Sequence, residues 1–280
     1  MNFVDFAAFA YFYGLILDGH PVRRITRCPT VEKPRKKNGS FFFDGEWGWV
    51  CNWNRDGEIH YFLDQKKTNT EAERRAYQER ARKAEAHLRQ TREKARQTAR
   101  EMIQKASLAP HPYLACKGFP EHHGLVSEAG ELLIPIKDIY GLLMSLQRVF
   151  LENNEWQKKM LLGGKTKGGV FKLGGGKEPV LCEGYATGLS IRKALDRMGM
   201  RQRPVLVCFS AGNLVEVSKS FRGSNAIVCA DNDASLTGQK AAEASGLPWV
   251  MPEDVGLDFN DLHQRDGLLA VAKLLQQKMS

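Results

Sequence analysis

No two of the six cysteines have just two residues between them, the spacing of a metal knuckle, and no disulfide framework can be read from their positions. Cys28, Cys51 and Cys116 are isolated, while Cys182, Cys208 and Cys229 each sit inside a short apolar run. In such runs cysteine serves as a small hydrophobe. A zinc site built from His20, Cys28, Cys51 and His60 fits no common ribbon or finger spacing, so zinc is not expected. A reducing cytoplasm is the expected compartment. Long apolar runs are equally scarce. The only one, Phe3 to Leu17, carries Asp5, lacks a basic leader and is too short to span a bilayer. It reads as a core helix ending near Gly14, and no membrane association is expected. From Asn69 to Ala106 there is neither glycine nor proline. A nucleotide-driven motor is also missing: no glycine stands at the position ahead of Gly164-Lys165 that the GxxxxGK phosphate loop needs.

What is present is positive charge. Lysine and arginine number 41 against 32 aspartates and glutamates, a net charge of +9 over 280 residues, which favours a polyanionic partner. Composition divides the chain into zones. Residues 1–68 form a small aromatic and basic domain, in which Phe41, Phe42, Phe43, Trp47, Trp49, Trp53, Tyr61 and Phe62 are interrupted by Gly39, Gly45, Gly48 and Gly57. This is the pattern of a small antiparallel sheet with tight turns. Most of these rings are expected to be its core. Lys33, Arg35, Lys36 and Lys37, ahead of Asn38-Gly39, would place cations at a hairpin tip and are candidates for contacting nucleic-acid phosphates. Residues 69–109 read as a long charged helix, a solvated linker whose excess of Arg and Lys could also track phosphates. Residues 110–178 form a basic subdomain with two strands, Leu132–Ile136 and Gly141–Leu146, and a glycine- and lysine-rich loop, GGKTKGGVFKLGGG.

Residues 179–280 carry the chemistry. Short apolar strands at Pro179–Cys182, Val205–Phe209, Ala226–Ala230 and Trp249–Met251 alternate with helices beginning near Ala186 and Leu236. That alternation implies an α/β fold, a parallel sheet with helices on both faces. Ligands bind such sheets beyond the carboxyl ends of the strands, which is where Glu183, Asp231 and Asp233 fall. Asp231 and Asp233 are two apart, so an extended backbone turns both the same way. Three converging carboxylates repel one another unless a hard cation lies among them, and Mg²⁺, with Mn²⁺ left open, suits an all-oxygen set. Such ions could activate a 3′-hydroxyl and stabilise a pyrophosphate leaving group.

The succession EGYATGLS (Glu183–Ser190), ADND (Ala230–Asp233), GQKAAE (Gly238–Glu243) and DFNDLH (Asp258–His263) resembles the TOPRIM domain, in the form found in phage and plasmid DNA primases. Upstream, HPYLACKGF, GLLMSLQRVF and KKMLLGGKTKGGVFKLG resemble the segment that precedes TOPRIM in those proteins, so the likeness runs from about Pro110 onward. The zinc-ribbon cysteines of many bacterial primases are absent. The resemblance implies that Glu183 is a general acid or base in nucleotidyl transfer and that Asp231 and Asp233 are metal ligands. Asp258 and Asp261 would add to the metal cluster, with helix capping by Asp258 an equal alternative. Gly184 would allow close backbone approach to a phosphate or ion. Arg148, Lys165 and Lys167 are candidates for gripping a nucleoside triphosphate or template, and Gly212 and Asn213 for lining the same crevice. The implied function is synthesis of short RNA primers on single-stranded DNA from NTPs, alongside a separate replicative helicase. A TOPRIM nuclease, in which water replaces the 3′-hydroxyl, and a non-catalytic single-strand-binding adaptor are the alternatives.

Overall fold

The computed structural model describes residues 3–17, 24–45, 47–55, 57–63 and 71–279. The chain divides into two units, Met1–Lys83 and Ala84–Ser280, each with its own core. His20 and the junction at residues 68–69 lie outside the described residues.

In the first unit, helix α1 (Phe3–Phe12) buries Phe6 and Ala10, which are four apart and so share a face. Strands β1 (Thr26–Cys28), β2 (Gly39–Phe43), β3 (Trp47–Asn52) and β4 (Ile59–Leu63) form an antiparallel sheet in that order. Alternation along the strands sends Phe41, Phe43 and Val50 into one core with α1. The Phe6 ring stacks on Phe43 at 4.4 Å and meets Phe62 edge-on at 5.5 Å. Lys33, Arg35, Lys36 and Lys37 lie exposed in the connection between β1 and β2, the hairpin position expected from the sequence. Cys28 joins the core face, and the register places Cys51 on the opposite face. His60 stacks on Tyr13 at 4.0 Å.

Helix α2 (Glu71–Lys105) realises the glycine- and proline-free stretch. It is not solvated throughout: Ala95 and Ala99 are buried, and Met102 and Ile103 pack with Leu133 and Leu146 of the sheet that follows. That antiparallel sheet comprises β5 (Ser107–Pro110), β6 (His123–Val126), β7 (Leu132–Lys137), β8 (Leu143–Glu152) and β9 (Glu155–Met160), in sequential order. Between β5 and β6 lies the short helix α3 (Pro112–Cys116), capped by His111, whose Nδ1 accepts from the Tyr113 amide at 3.1 Å. The expected strand pair at residues 132–146 is therefore present, inside a larger sheet.

The second sheet of this unit has the order β10 (Phe171–Leu173), β12 (Val205–Val207), β11 (Val180–Cys182), β13 (Ile227–Cys229) and β14 (Trp249–Val250). Strands β11 to β14 are parallel, as expected, but β10 pairs antiparallel with β12. β10 comes from the glycine- and lysine-rich segment read as loop. Helices α4 (Tyr185–Arg197), α7 (Phe259–Asp266) and α8 (Leu268–Met279) pack on one face. Helices α5 (Ala211–Ser218) and α6 (Thr237–Ser245) cover the other. Burial on both faces explains the unbroken apolar strands. Val180 and Cys182 enter one core and Leu181 the other, and Val205, Val207 and Leu206 divide in the same way.

Candidate active site

Strand β11 ends at Cys182, so Glu183 emerges at its carboxyl end and Gly184 serves as the extended N-cap of α4. The Phe209 amide donates to the Glu183 carbonyl at 2.8 Å. Phe209 itself has φ +68°, a left-handed backbone unusual for an aromatic residue and a form of strain that collects at functional sites. One strand over, β13 ends just before Asp231. An antiparallel bridge between Asn232 and Leu257 sets the neighbouring Asp231 and Asp258 opposite each other. The Asn232 side-chain Nδ2 secures that arrangement by donating to the carbonyls of Pro252 and Glu253 at 2.9 and 3.0 Å.

Glu183, Asp231 and Asp258 line one cavity of about 140 Å³. Its other walls come from Gly184, Tyr185, Ala186, Thr187 and Phe209, and from Lys117, Gln147 and Lys158 of the antiparallel part of the unit. Asp231 Oδ1 is buried with no hydrogen-bond partner. Burial, together with the negative charges of Glu183, Asp258 and Asp233, raises the Asp231 carboxyl to about 8, against a small opposing pull from Lys158. Asp258 is the N-cap of α7. Its Oδ1 accepts from the amides of Asn260 and Asp261 at 2.7 and 2.8 Å, and its Oδ2 accepts from Thr187 Oγ1 at 2.9 Å. The capping alternative is thus realised, and the same residue still faces the cavity.

The remaining sequence candidates lie elsewhere. Asp233 accepts from the amides of Ser235, Thr237 and Gly238 and from the Ser235 hydroxyl, and it does not line the cavity. Burial alone would raise its carboxyl, but these donors outweigh burial and hold it below the usual aspartate range. Asp261 completes a capping box by accepting from the Asp258 amide at 3.2 Å. Among the described residues no three His, Cys, Asp or Glu side chains are gathered closely enough to enclose an ion. Arg148 precedes Val149 on β8, follows the cavity-lining Gln147, and so points to the other face, where it pairs with Glu131 at 3.5 Å. Lys165 is exposed in its loop, and Lys167 lies 4.0 Å from Glu216. Gly212 occupies the first turn of α5. Asn213 clamps the glycine loop: its Nδ2 donates to the carbonyls of Gly169 and Cys208, and its Oδ1 accepts from the Gly168 amide, all at 2.7 Å.

Lys117, Lys158, Gln147, Tyr185, Thr187 and Phe209 were not singled out from the sequence as site residues. Thr187 and Tyr185 sit within EGYATGLS, where the signal was available. Lys158 reaches the cavity through the pairing of Val149 with Lys158 across β8 and β9, which no local pattern announces.

Residues 179–268 match the family model of the Toprim domain, and they carry the three carboxylates that line the cavity. Comparison with curated proteins finds no match. Among solved structures, the primase fragment of the bacteriophage T7 primase-helicase protein is similar over 52% of this chain, at 18% identity and a TM-score of 0.37. The chain spans 62% of the length of that fragment. The DnaG catalytic core is similar at 17% identity over 63% of this chain and 68% of its own, with a TM-score of 0.38. The E. coli primase catalytic core is similar at 15% identity over 69% and 73%, with a TM-score of 0.34.

Proposed function

We propose that the chain is a DNA primase, joining NTPs into short RNA on a single-stranded DNA template by nucleotidyl transfer to a 3′-hydroxyl with loss of pyrophosphate. The observation that carries this reading is a single cavity with carboxylates on one wall, Glu183, Asp231 and Asp258, and the amines of Lys117 and Lys158 on another. A triphosphate needs cationic donors for its oxygens, and a reacting phosphoryl centre needs a hard cation. The residues present fit such a cation, because the buried Asp231 Oδ1 has no donor from the protein and two further carboxylates border the same space. Asp231 would hold it, with Glu183 and Asp258 bordering the same cavity. Mg²⁺, or Mn²⁺ in its place, would supply positive charge against the developing charge on the attacking and leaving oxygens.

The chain's own groups do the rest. Lys117 and Lys158 bind phosphate oxygens by charge-assisted hydrogen bonds. Glu183 takes the proton of the attacking hydroxyl. The rings of Tyr185 and Phe209 border the cavity and limit water there, which favours a hydroxyl over water as nucleophile. Asp233 and Asp261 position the loop after β13 and the start of α7, so their carboxylates act through Asp231 and Asp258. Template strand separation is assigned to a replicative helicase.

The test is incubation with single-stranded DNA, labelled NTPs and Mg²⁺ or Mn²⁺, comparing the wild type with Asp231→Asn. Short labelled RNA should form with the wild type and fall about 100-fold or more in the variant. Template degraded without incorporation would instead identify a nuclease.

A further inference from the structure

The sheet of the first unit has a second face that the α1 core does not use. Phe42 pairs with Trp49, and Trp49 pairs with Tyr61, so three aromatic residues follow one another across β2, β3 and β4 on the side opposite Phe41, Phe43 and Val50. Neighbouring strands are about 4.8 Å apart, so the three form a continuous row. Trp47 extends it, with its ring 5.2 Å from that of Phe42. The face is partly open: Tyr61 is 53% exposed and Ile59 41%, Phe42, Trp47 and Trp49 are half-buried, and Ser40 and Cys51 beside them are buried. At the end of β3, Trp53 is 45% exposed, with the Arg27 guanidinium lying 3.7 Å over its ring. Arg27 belongs to this face by register, since it pairs with Ser40, the neighbour of Phe41.

A row of rings left partly open to water marks a binding surface. Its chemistry selects the occupant. Flat rings and a stacked guanidinium match unpaired bases, and the exposed Lys33, Arg35, Lys36 and Lys37 of the β1–β2 connection match phosphates. We infer that this face is a stacking platform for single-stranded DNA, with Phe42, Trp49 and Tyr61 receiving bases and the β1–β2 cations receiving the backbone. The sequence expectation assigned nucleic-acid contact to the cations and most of the rings to the core. The register divides the rings instead between a core face and a partly open face. Every base offers a π-face, so the platform tolerates any sequence. A duplex, with its bases already stacked, satisfies only the cations.

The platform does not depend on the carboxylate cavity, and its test is run with the full chain in chelator, where metal-dependent transfer cannot proceed. A fluorescent single-stranded oligonucleotide of about 15 nucleotides, long enough to cover a site of this class, is titrated with the wild type, Tyr61→Ala, Trp49→Ala and Trp49→Phe, beside a duplex of the same sequence. Each alanine variant should bind the single strand about 5- to 100-fold more weakly. Trp49→Phe should stay near the wild type, the duplex should bind more weakly, and single-strand binding should quench tryptophan emission. Tyr61, with more than half its surface exposed, carries the test should Trp49→Ala fail to fold. Equal affinity for duplex and single strand, or wild-type affinity in Tyr61→Ala, would overturn the platform and leave binding to the lysines alone.

Discussion

An aspartate closed off from water beside two other carboxylates is held more easily as the acid than as the anion. Asp231 is raised to about 8 by burial first and by its acidic neighbours second, whereas in an unfolded chain it titrates near 3.9. Without metal, the neutral group's contribution to stability is complete below about pH 3.9 and is lost as pH rises through about 8. An asparagine side chain in its place would keep the shape without the titration. Asp231→Asn in chelator should therefore melt above the wild type at pH 8, by a few kcal/mol in unfolding free energy, with the difference vanishing toward pH 4. Melting curves of both proteins across that range check this, and a difference independent of pH would contradict it. Glu183 and Asp231 could be found from the sequence because each closes an apolar strand, and strand ends are where such sheets bind ligands. Lys117 and Lys158 could not. One follows the last residue of a five-residue helix and the other depends on cross-strand register, and neither is encoded in its immediate neighbours.

At the scale of elements, strands β11 to β13 were legible because burial on both faces makes them uninterrupted apolar runs. β10 was hidden: Phe171–Leu173 is three residues long, lies among glycines and pairs with a strand more than thirty residues later. The loop ahead of it is held by Asn213, through two donated hydrogen bonds and one accepted. Asn213→Ala removes all three and leaves the Cys208 and Gly169 carbonyls without those donors. The cost should be about 2–3 kcal/mol. A lower denaturant midpoint at unchanged slope, with faster hydrogen exchange at the Gly168 amide, would show it. Unaltered Gly168 exchange would mean that the loop is held by other contacts. Gly238 has a comparable role at the start of α6, since a side chain there would collide with the Asp231 carbonyl. The sequence shows that glycine as part of GQKAAE but not the backbone it must admit.

For the whole molecule, the sequence zones anticipate an aromatic sheet, a long helix and an α/β portion, and all three exist. The acidic wall of the cavity belongs to the portion anticipated for it, while the basic wall comes from the end of α3 and from β9 upstream. Each unit encloses its own buried cluster, with Phe6, Phe41 and Val50 in one and Val180, Leu195 and Phe259 in another. Residues 84–280 alone should accordingly unfold in a single cooperative transition, observed by calorimetry with equal van't Hoff and calorimetric enthalpies. A broad, non-cooperative loss of structure would show that the first 83 residues are needed to complete the fold. Within Ala84–Ser280, the two sheets share one stretch of chain: Val170 bridges to Lys137 of the antiparallel sheet, and Phe171 follows at once as the first residue of β10, its ring 5.4 Å from Tyr185 at the cavity wall. Side chains on extended backbone alternate, so the number of residues at this junction has a parity. One residue added between Val170 and Phe171 would turn Phe171 and Leu173 away from the core and Lys172 into it, whereas two would restore the facing. Change in the length of this protein is thus constrained there to even steps, while the glycines from 174 to 176 just downstream carry no such arithmetic.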